Sequence, residues 1–167
     1  GIGIIEAADY IGGPSACGAA LRKRLNKDPH NVYVLLGDGE CEEGQVWEAA
    51  LFAAHNKLNN LTAITDWNRQ QIDGPVNRVA GLGDLVAKWE SFGWTVLECD
   101  GHNLDGIREA YKKSLEPRNT PMMILMHTHM GQGVDFMTGT HAWHGKAPSA
   151  EDEARALSQL PETLGDF

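Results

Sequence analysis

"LLGDGECEEGQVWEAALFAAHNKLNNLTAITDWNRQQIDG", residues Leu35 to Gly74, decides the fold. It begins inside the apolar run "VYVLL", Val32 to Leu36, whose β-branched and aromatic residues show no polar alternation. That is the pattern of a strand buried on both faces. The run stops at Gly37-Asp38-Gly39. From Gln45 to about Asn56, Val46, Ala49, Ala50, Ala53 and Ala54 form one apolar helical face. A second apolar run, "LTAIT", Leu61 to Thr65, then stops at Asp66-Trp67-Asn68. Strand, helix and strand over this length make one crossover between parallel strands.

The same alternation extends outward. Residues 14 to 26 read as a helix with Pro14 in its first turn, and residues 83 to 92 as a short helix ending before Gly93. "TVLEC", Thr95 to Cys99, is a third strand, Leu104 to Leu115 a helix, and "PMMILMH", Pro121 to His127, a fourth strand. Strict alternation implies right-handed crossovers and a doubly wound, mostly parallel α/β sheet with helices on both faces. Ligands collect beyond the carboxyl ends of such strands. Gly37-Asp38-Gly39, Asp66-Trp67-Asn68, Asp100-Gly101-His102 and residues 128 to 133 are all expected there. "SAEDEARALSQL" reads as a helix capped by Ser149. Residues 1–149 form the expected α/β domain and 150–167 a helical tail.

Composition narrows the function. The 167 residues are 42% apolar and 22% charged, the globular range, and the net charge is -9. That excludes a general nucleic-acid or anionic-membrane binder, though not a local phosphate site. Cys17, Cys41 and Cys99 form no C-x-x-C pair, which predicts a reduced, intracellular, cytoplasmic protein. No secretory leader or membrane-spanning run is recognisable. The chain begins with Gly1 rather than Met, so it is either processed or a piece of something longer.

Asp38 offers an anionic oxygen and Asn68 a neutral one, each just past a buried strand and one crossover apart. One carboxylate and one carboxamide make a poor Ca²⁺ cage. They suit Mg²⁺, which takes its remaining ligands from phosphates and water. Gly37 and Gly39 admit a phosphate to the backbone, and the following helix N-terminus adds its dipole. Gly-Asp-Gly is also an ordinary turn tripeptide, present by chance in about one chain in seven of this composition. The Glu40, Glu42 and Glu43 run reads equally as a solvated helix start. His127-Thr-His129 and His141-x-x-His144 are weak zinc patterns with no cysteine close by in sequence. There is no P-loop and no G-x-G-x-x-G.

The segment from Val32 to Pro75 closely resembles the thiamine-diphosphate-binding part of transketolases: Gly-Asp-Gly, then Glu-Gly-Gln-x-Trp-Glu-Ala-Ala, then Asn-x-x-x-Ile-Asp-Gly. The resemblance continues through "KWESFGWTVLECDGHN", "GQGVDFM" and "HAWHGKAPS", covering Val32 to Ser149, and is strongest to the N-terminal subunit of split transketolases. It implies the diphosphate domain of the thiamine diphosphate fold, lacking part of its N-terminus. It implies thiamine diphosphate and Mg²⁺ as cofactors, and transfer of a two-carbon ketol unit between sugar phosphates. Asp38, Asn68 and the carbonyl of Gln70 would hold Mg²⁺. Gly37 and Gly39 would border the diphosphate, with the Gly39 amide donating to it. Ile72 would pack near the thiazolium ring, its alternative being a core position. His144 would contact the diphosphate near the reacting centre, its alternative being a solvated loop histidine. Glu43 would link the two cofactor sites of a dimer. Trp47 reads as core or interface packing.

The family's Gly-rich loop before the first helix aligns with residues 7 to 12, which read "AADYIG", so only Gly12 and Gly18 fit. The family's glutamate for the aminopyrimidine belongs to another domain. The implied partner is therefore a pyrimidine-domain, C-terminal transketolase subunit, in a homo- or hetero-oligomer. A 1-deoxyxylulose-5-phosphate synthase-like enzyme and a non-catalytic truncated remnant are the alternatives.

Overall fold

The computed structural model describes residues 3–6 and 12–161. Strand β1 spans Gly3–Glu6, helix α1 Gly12–Leu25, β2 Val32–Gly37, α2 Gly44–His55 and β3 Leu61–Trp67. A two-residue ribbon follows, β4 at Gln70–Gln71 and β5 at Gly74–Pro75. Then come α3 (Val76–Val79), α4 (Leu85–Ser91), β6 (Thr95–Asp100), α5 (Leu104–Ser114), β7 (Met122–His127) and α6 (Ala150–Leu157). The main sheet runs β1-β2-β3-β7-β6, with every pairing parallel.

The order explains the layering. Successive moves β1→β2→β3 go the same way across the sheet, so right-handed crossovers put α1 and α2 on one face. The step from β6 back to β7 reverses direction and puts α5 on the other. The first face holds the main core. Alternate residues Val32, Val34 and Leu36 of β2 meet Leu61, Ala63, Met123 and Leu125, under small side chains of α1 (Ala16, Cys17, Ala20) and α2 (Ala49, Ala50, Ala53). Small residues let the helices approach closely: Cys17 Sγ donates to the Ala49 carbonyl at 3.5 Å. Trp89 of α4 seals one end, its ring 4.9 Å from those of both Trp47 and Trp94. Trp94 Nε1 donates to the Ala50 carbonyl at 3.0 Å.

The expected cover on both faces is uneven. On the second face Tyr33, Ile64, Met122 and Ile124 pack with Ala110 of α5. Leu35 of β2 stays 41% exposed, bordering an apolar groove with Tyr33, Ile107, Tyr111 and Met126. One further strand, β1, pairs in register Gly3↔Val32 to Glu6↔Leu35 and carried no clear signal in "GIGIIE". Asp66 and Trp67 belong to β3 rather than to the turn after it. Of the loop expected at 7 to 12, residues 7–11 lie outside the described residues and Gly12 opens α1. The Ser149 cap stands as read, in a capping box with Asp152. No helix among the described residues is long and apolar enough to cross a membrane.

Trp89 is 1% exposed and joins α2, α4 and the turn before β6. Trp89→Ala is expected to destabilise the fold by about 3–5 kcal/mol, through lost apolar burial and the cavity left behind. Urea unfolding monitored by circular dichroism checks it, and a loss below about 1 kcal/mol would contradict this account of the core.

Candidate active site

Strand register builds the site. β2 and β3 pair with Gly37 opposite Asp66, so both strands end at the same level. One cleft of about 500 Å³ opens there, and Gly37, Asp38, Gly39, Glu43, Asn68, Gln70, Ile72 and His144 all line it. The residues that the transketolase resemblance assigns to cofactor and metal thus reach one place. Glu40, Glu42, Asp66 and Gln71 complete the wall.

Asp38 is 1% exposed. Its Oδ1 accepts from Gly39 N–H at 2.8 Å and its Oδ2 from Arg69 N–H. The second bond needs Arg69 in the left-handed region, with φ 65°, a conformation that strains a non-glycine residue. Burial pushes the Asp38 carboxyl up to about 6; the two amide donors pull it down and Asp66 pushes it further up. Two of the turn's three amides face anionic oxygens: Gly37 N–H donates to Glu40 Oε2 at 3.2 Å, as Gly39 N–H does to Asp38, while Asp38 N–H donates to the Asp66 carbonyl. The Gly39 amide, which the resemblance assigns to a diphosphate, is therefore taken by Asp38 in this state of the chain. A Cβ on Gly39 would lie 3.0 Å from Gln71 Cβ, so a side chain there would push Gln71 back by a few tenths of an ångström.

Asn68 is held by both ends of its amide. Its Oδ1 accepts from Gln70 N–H at 2.8 Å and its Nδ2 donates to Asp66 Oδ2 at 3.1 Å. Gln70 sits in the β4–β5 ribbon, which presents it and Ile72 to the cleft. Ile72 is 64% exposed, which removes the core reading and leaves an apolar side chain on a polar cleft wall. Trp47 is a packing residue: its ring stacks on Trp89 and Phe92, and its Nε1 donates to the Cys41 carbonyl at 2.9 Å. Glu42 is tied to Gln71 Nε2 at 2.9 and 2.8 Å, so the acidic run is more than a solvated helix start. His144 is exposed and ends a short 3₁₀ turn, His141–Trp143.

The donor set suits a hard cation. Asp38 supplies a buried carboxylate, and Gln70 Oε1 is a buried acceptor with no hydrogen-bond partner among the described residues. No lysine or arginine among the described residues lines the cleft. Among the described residues no three His, Cys, Asp or Glu side chains are placed so that they alone could hold a metal ion. His127 pairs instead with Glu98 Oε2 at 2.7 Å and with Arg69 Nη2 at 3.0 Å, while His102 Nε2 accepts from the His129 N–H at 2.8 Å. Sequence reasoning placed Asp66 and Thr128 at the strand ends without giving them a role, and missed Arg69. Asp66 was visible as a strand-end acid, whereas the contacts of Arg69 and Thr128 cross between strands distant in sequence.

These features define an α/β domain with an acidic cleft at the carboxyl edge of its sheet. Comparison with known proteins specifies it further. The family described as "Transketolase, thiamine diphosphate binding domain" matches residues 17–162, and the chain belongs to that family. It is 40% identical to the 6-deoxy-6-sulfo-D-fructose transketolase subunit SqwG of a Clostridium species over 146 residues, 87% of this chain and 53% of that protein. It is 36% identical to an apulose-4-phosphate transketolase subunit of Phocaeicola vulgatus, over 88% of this chain and 52% of that one. The chain spans about half the length of these curated relatives. Among solved structures, a transketolase of Pichia stipitis superposes with a TM-score of 0.79 at 30% identity, over 87% of this chain and 23% of that one. A transketolase of Campylobacter jejuni gives 0.76 at 29% identity, over 88% and 23%.

Asp38 sets a pH dependence. Its carboxyl titrates at about 6 in the folded chain against 3.8 for an ordinary aspartate. Between those values the folded state holds more protons than the unfolded one, so stability falls as pH rises from about 4 to 6. Two such units correspond to on the order of 3 kcal/mol. Asp38→Asn is expected to flatten that part of the profile, whatever its absolute stability. Urea unfolding in EDTA from pH 4 to 7 reads the slope, and an unchanged slope would refute the assignment.

Proposed function

We propose that this cleft binds thiamine diphosphate through Mg²⁺, and that the assembled enzyme transfers a two-carbon ketol unit between sugar phosphates. The observation that carries the reading is a buried carboxylate, Asp38, in a cleft that is acidic and, among the described residues, free of lysine and arginine. A diphosphate beside Asp38, Asp66, Glu40, Glu42 and Glu43 would meet strong repulsion. A divalent cation between them inverts that sign. Membership of the thiamine-diphosphate-binding family supports the cofactor. The names of the relatives support transketolase chemistry over the deoxyxylulose-phosphate alternative.

In this reading Asp38, Asn68 and the Gln70 carbonyl hold the cation, an arrangement that leaves its other positions to phosphate and water. Gly37 and Gly39, in the turn between β2 and α2, let the diphosphate approach the backbone closely, and the Gly39 amide exchanges Asp38 for a diphosphate oxygen. Ile72 gives the organic part of the cofactor an apolar wall. His144 donates to the diphosphate near the reacting centre, and Glu43 faces a carboxylate of the partner. The cofactor, once bound, supplies the carbanion chemistry. The protein supplies placement and electrostatics. The glutamate for the cofactor's aminopyrimidine comes from a pyrimidine-domain partner, consistent with relatives named as subunits.

Asp38→Ala is expected to abolish Mg²⁺-dependent thiamine diphosphate binding, because the buried bridge to the diphosphate is gone. Isothermal calorimetry with and without EDTA tests this, and equal affinity in wild type and variant would sink the reading. A second expectation concerns catalysis. These 167 residues alone should show no ketol transfer with saturating Mg²⁺ and cofactor, and activity should appear on adding a pyrimidine-domain subunit. Loss of a general acid–base partner alone is worth roughly 10²–10⁴-fold in rate. Turnover by the purified chain alone, lost in Asp38→Ala, would overturn the half-site view.

A further inference from the structure

We propose that Asp66 is the positioning residue of this site: its carboxylate clamps Asn68 so that the Asn68 carboxamide oxygen faces the cation. The inference rests on the cation reading of the cleft given above.

Asp66 occupies a junction of three strand ends. Its backbone carbonyl accepts from Asp38 N–H at 3.2 Å. Its Oδ2 accepts from Asn68 Nδ2 at 3.1 Å, and its Oδ1 from the hydroxyl of Thr128, the first residue past β7. Asp66 pairs with Gly37 of β2 and with Met126 of β7, so the sheet register itself holds it between them. One residue thereby ties the ends of β2, β3 and β7.

The clamp decides which end of the Asn68 amide faces where. A carboxylate only accepts, so it must meet the NH₂ group; the Gln70 N–H only donates, so it must meet Oδ1. Both contacts select the same rotamer. The remaining lone pair of Oδ1 is left for a cation, and the carboxylate polarises the amide toward greater negative charge on that oxygen. Ligands oriented in this way lose about 10–100-fold in metal affinity when the orienting partner is removed. The Asp66 oxygens accept from the side chains of two other strand-end residues, whereas those of Asp38 accept from main-chain amides, so Asp66 is the one wired to the Asn68 side chain.

The test uses the full chain, with Mn²⁺ as a spectroscopic substitute for Mg²⁺. Mn²⁺ is titrated in the presence of thiamine diphosphate and followed by calorimetry and by electron paramagnetic resonance of the bound ion. Asp66→Ala should weaken Mn²⁺ binding about 10–100-fold. Asp66→Asn should stay close to wild type, because its oxygen accepts from Asn68 while its NH₂ donates to the Thr128 hydroxyl. In an Asn68→Ala background, Asp66→Ala should cause no further loss, since both act through one ligand. Asp66→Leu keeps the bulk between the strands and replaces the alanine variant if that one does not fold. Unchanged affinity in Asp66→Ala, an equal loss in Asp66→Asn, or additive losses would each overturn the proposal. Asp38→Ala serves as the control. If it loses Mn²⁺ while Asp66→Ala does not, only the clamp is wrong. If wild type and Asp38→Ala behave alike, the cation reading is wrong and the clamp falls with it.

Discussion

The register of two buried parallel strands, with Gly37 of β2 opposite Asp66 of β3, is the constraint on which the site depends. A slip of one residue would turn the face of every side chain on one strand. Val32, Val34 and Leu36 would leave the main core, and the strand ends would no longer be level. Register is thus enforced by apolar burial far from the cleft. The core face fixes which residues point inward, the same choice fixes where each strand stops, and the stopping points place Asp38 and Asn68. Stability and chemistry share one cause here.

The charge of the cleft follows a second logic. Many phosphate sites use a lysine or arginine, whose charge is permanent. This one lines its wall with carboxylates, and the positive charge would come from the ion proposed above. Holding a carboxylate there carries a cost, visible in the carboxyl of Asp38 being pushed up by burial. Two main-chain N–H groups offset part of it, and one of them is available only because Arg69 adopts a left-handed conformation. The Arg69 side chain lies over the Trp67 ring at 4.8 Å and donates toward His127. Those contacts hold the strained residue in place from outside the cleft.

Much of this was legible in the sequence, for identifiable reasons. Buried strands of a parallel sheet read as continuous apolar runs, and β2, β3 and β7 do so. Helix α2 was marked by its alanine face, and α6 by Ser149. Asp38 and Asn68 were legible because both follow such runs one crossover apart. What escaped was short or depended on distant partners. β1 is four residues with a glycine at its start, too little pattern for a period to emerge. The β4–β5 ribbon has two residues on each side. The link from Thr128 to Asp66 spans 62 positions, and nothing local in "HTHMG" announces it. The incomplete cover of the second sheet face was also invisible, since a buried run and a half-covered one look alike: Leu35 is as apolar as Leu36 yet 41% exposed against 2%.

His144 reaches the cleft by a different route from the other candidates, and the route explains why the tail matters. Residues 128–140, between β7 and the short turn before His144, contain no strand or helix of their own. They are folded by local bonds: Gly139 N–H to the Met130 carbonyl at 2.8 Å, Thr138 Oγ1 to the Gly131 carbonyl at 2.9 Å, and Trp143 Nε1 to the Phe136 carbonyl at 3.0 Å. Gly131 has φ 68°, and a Cβ there would come within 2.5 Å of the Met137 carbonyl oxygen, so the loop closes only around glycine. Helix α6 then braces the same loop. Arg155 donates to both oxygens of Asp135 at 2.9 and 3.0 Å and lies over the Phe136 ring at 4.4 Å. Asp135 and Arg155 are largely exposed, so this pair adds little to overall stability. Its effect is geometric. α6 fixes Phe136, Phe136 holds the Trp143 indole through its carbonyl and through ring contact at 5.3 Å, and Trp143 is the residue before His144. The strand-end residues of the cleft are set by the core, whereas its histidine is set by the surface helix at the end of the described chain.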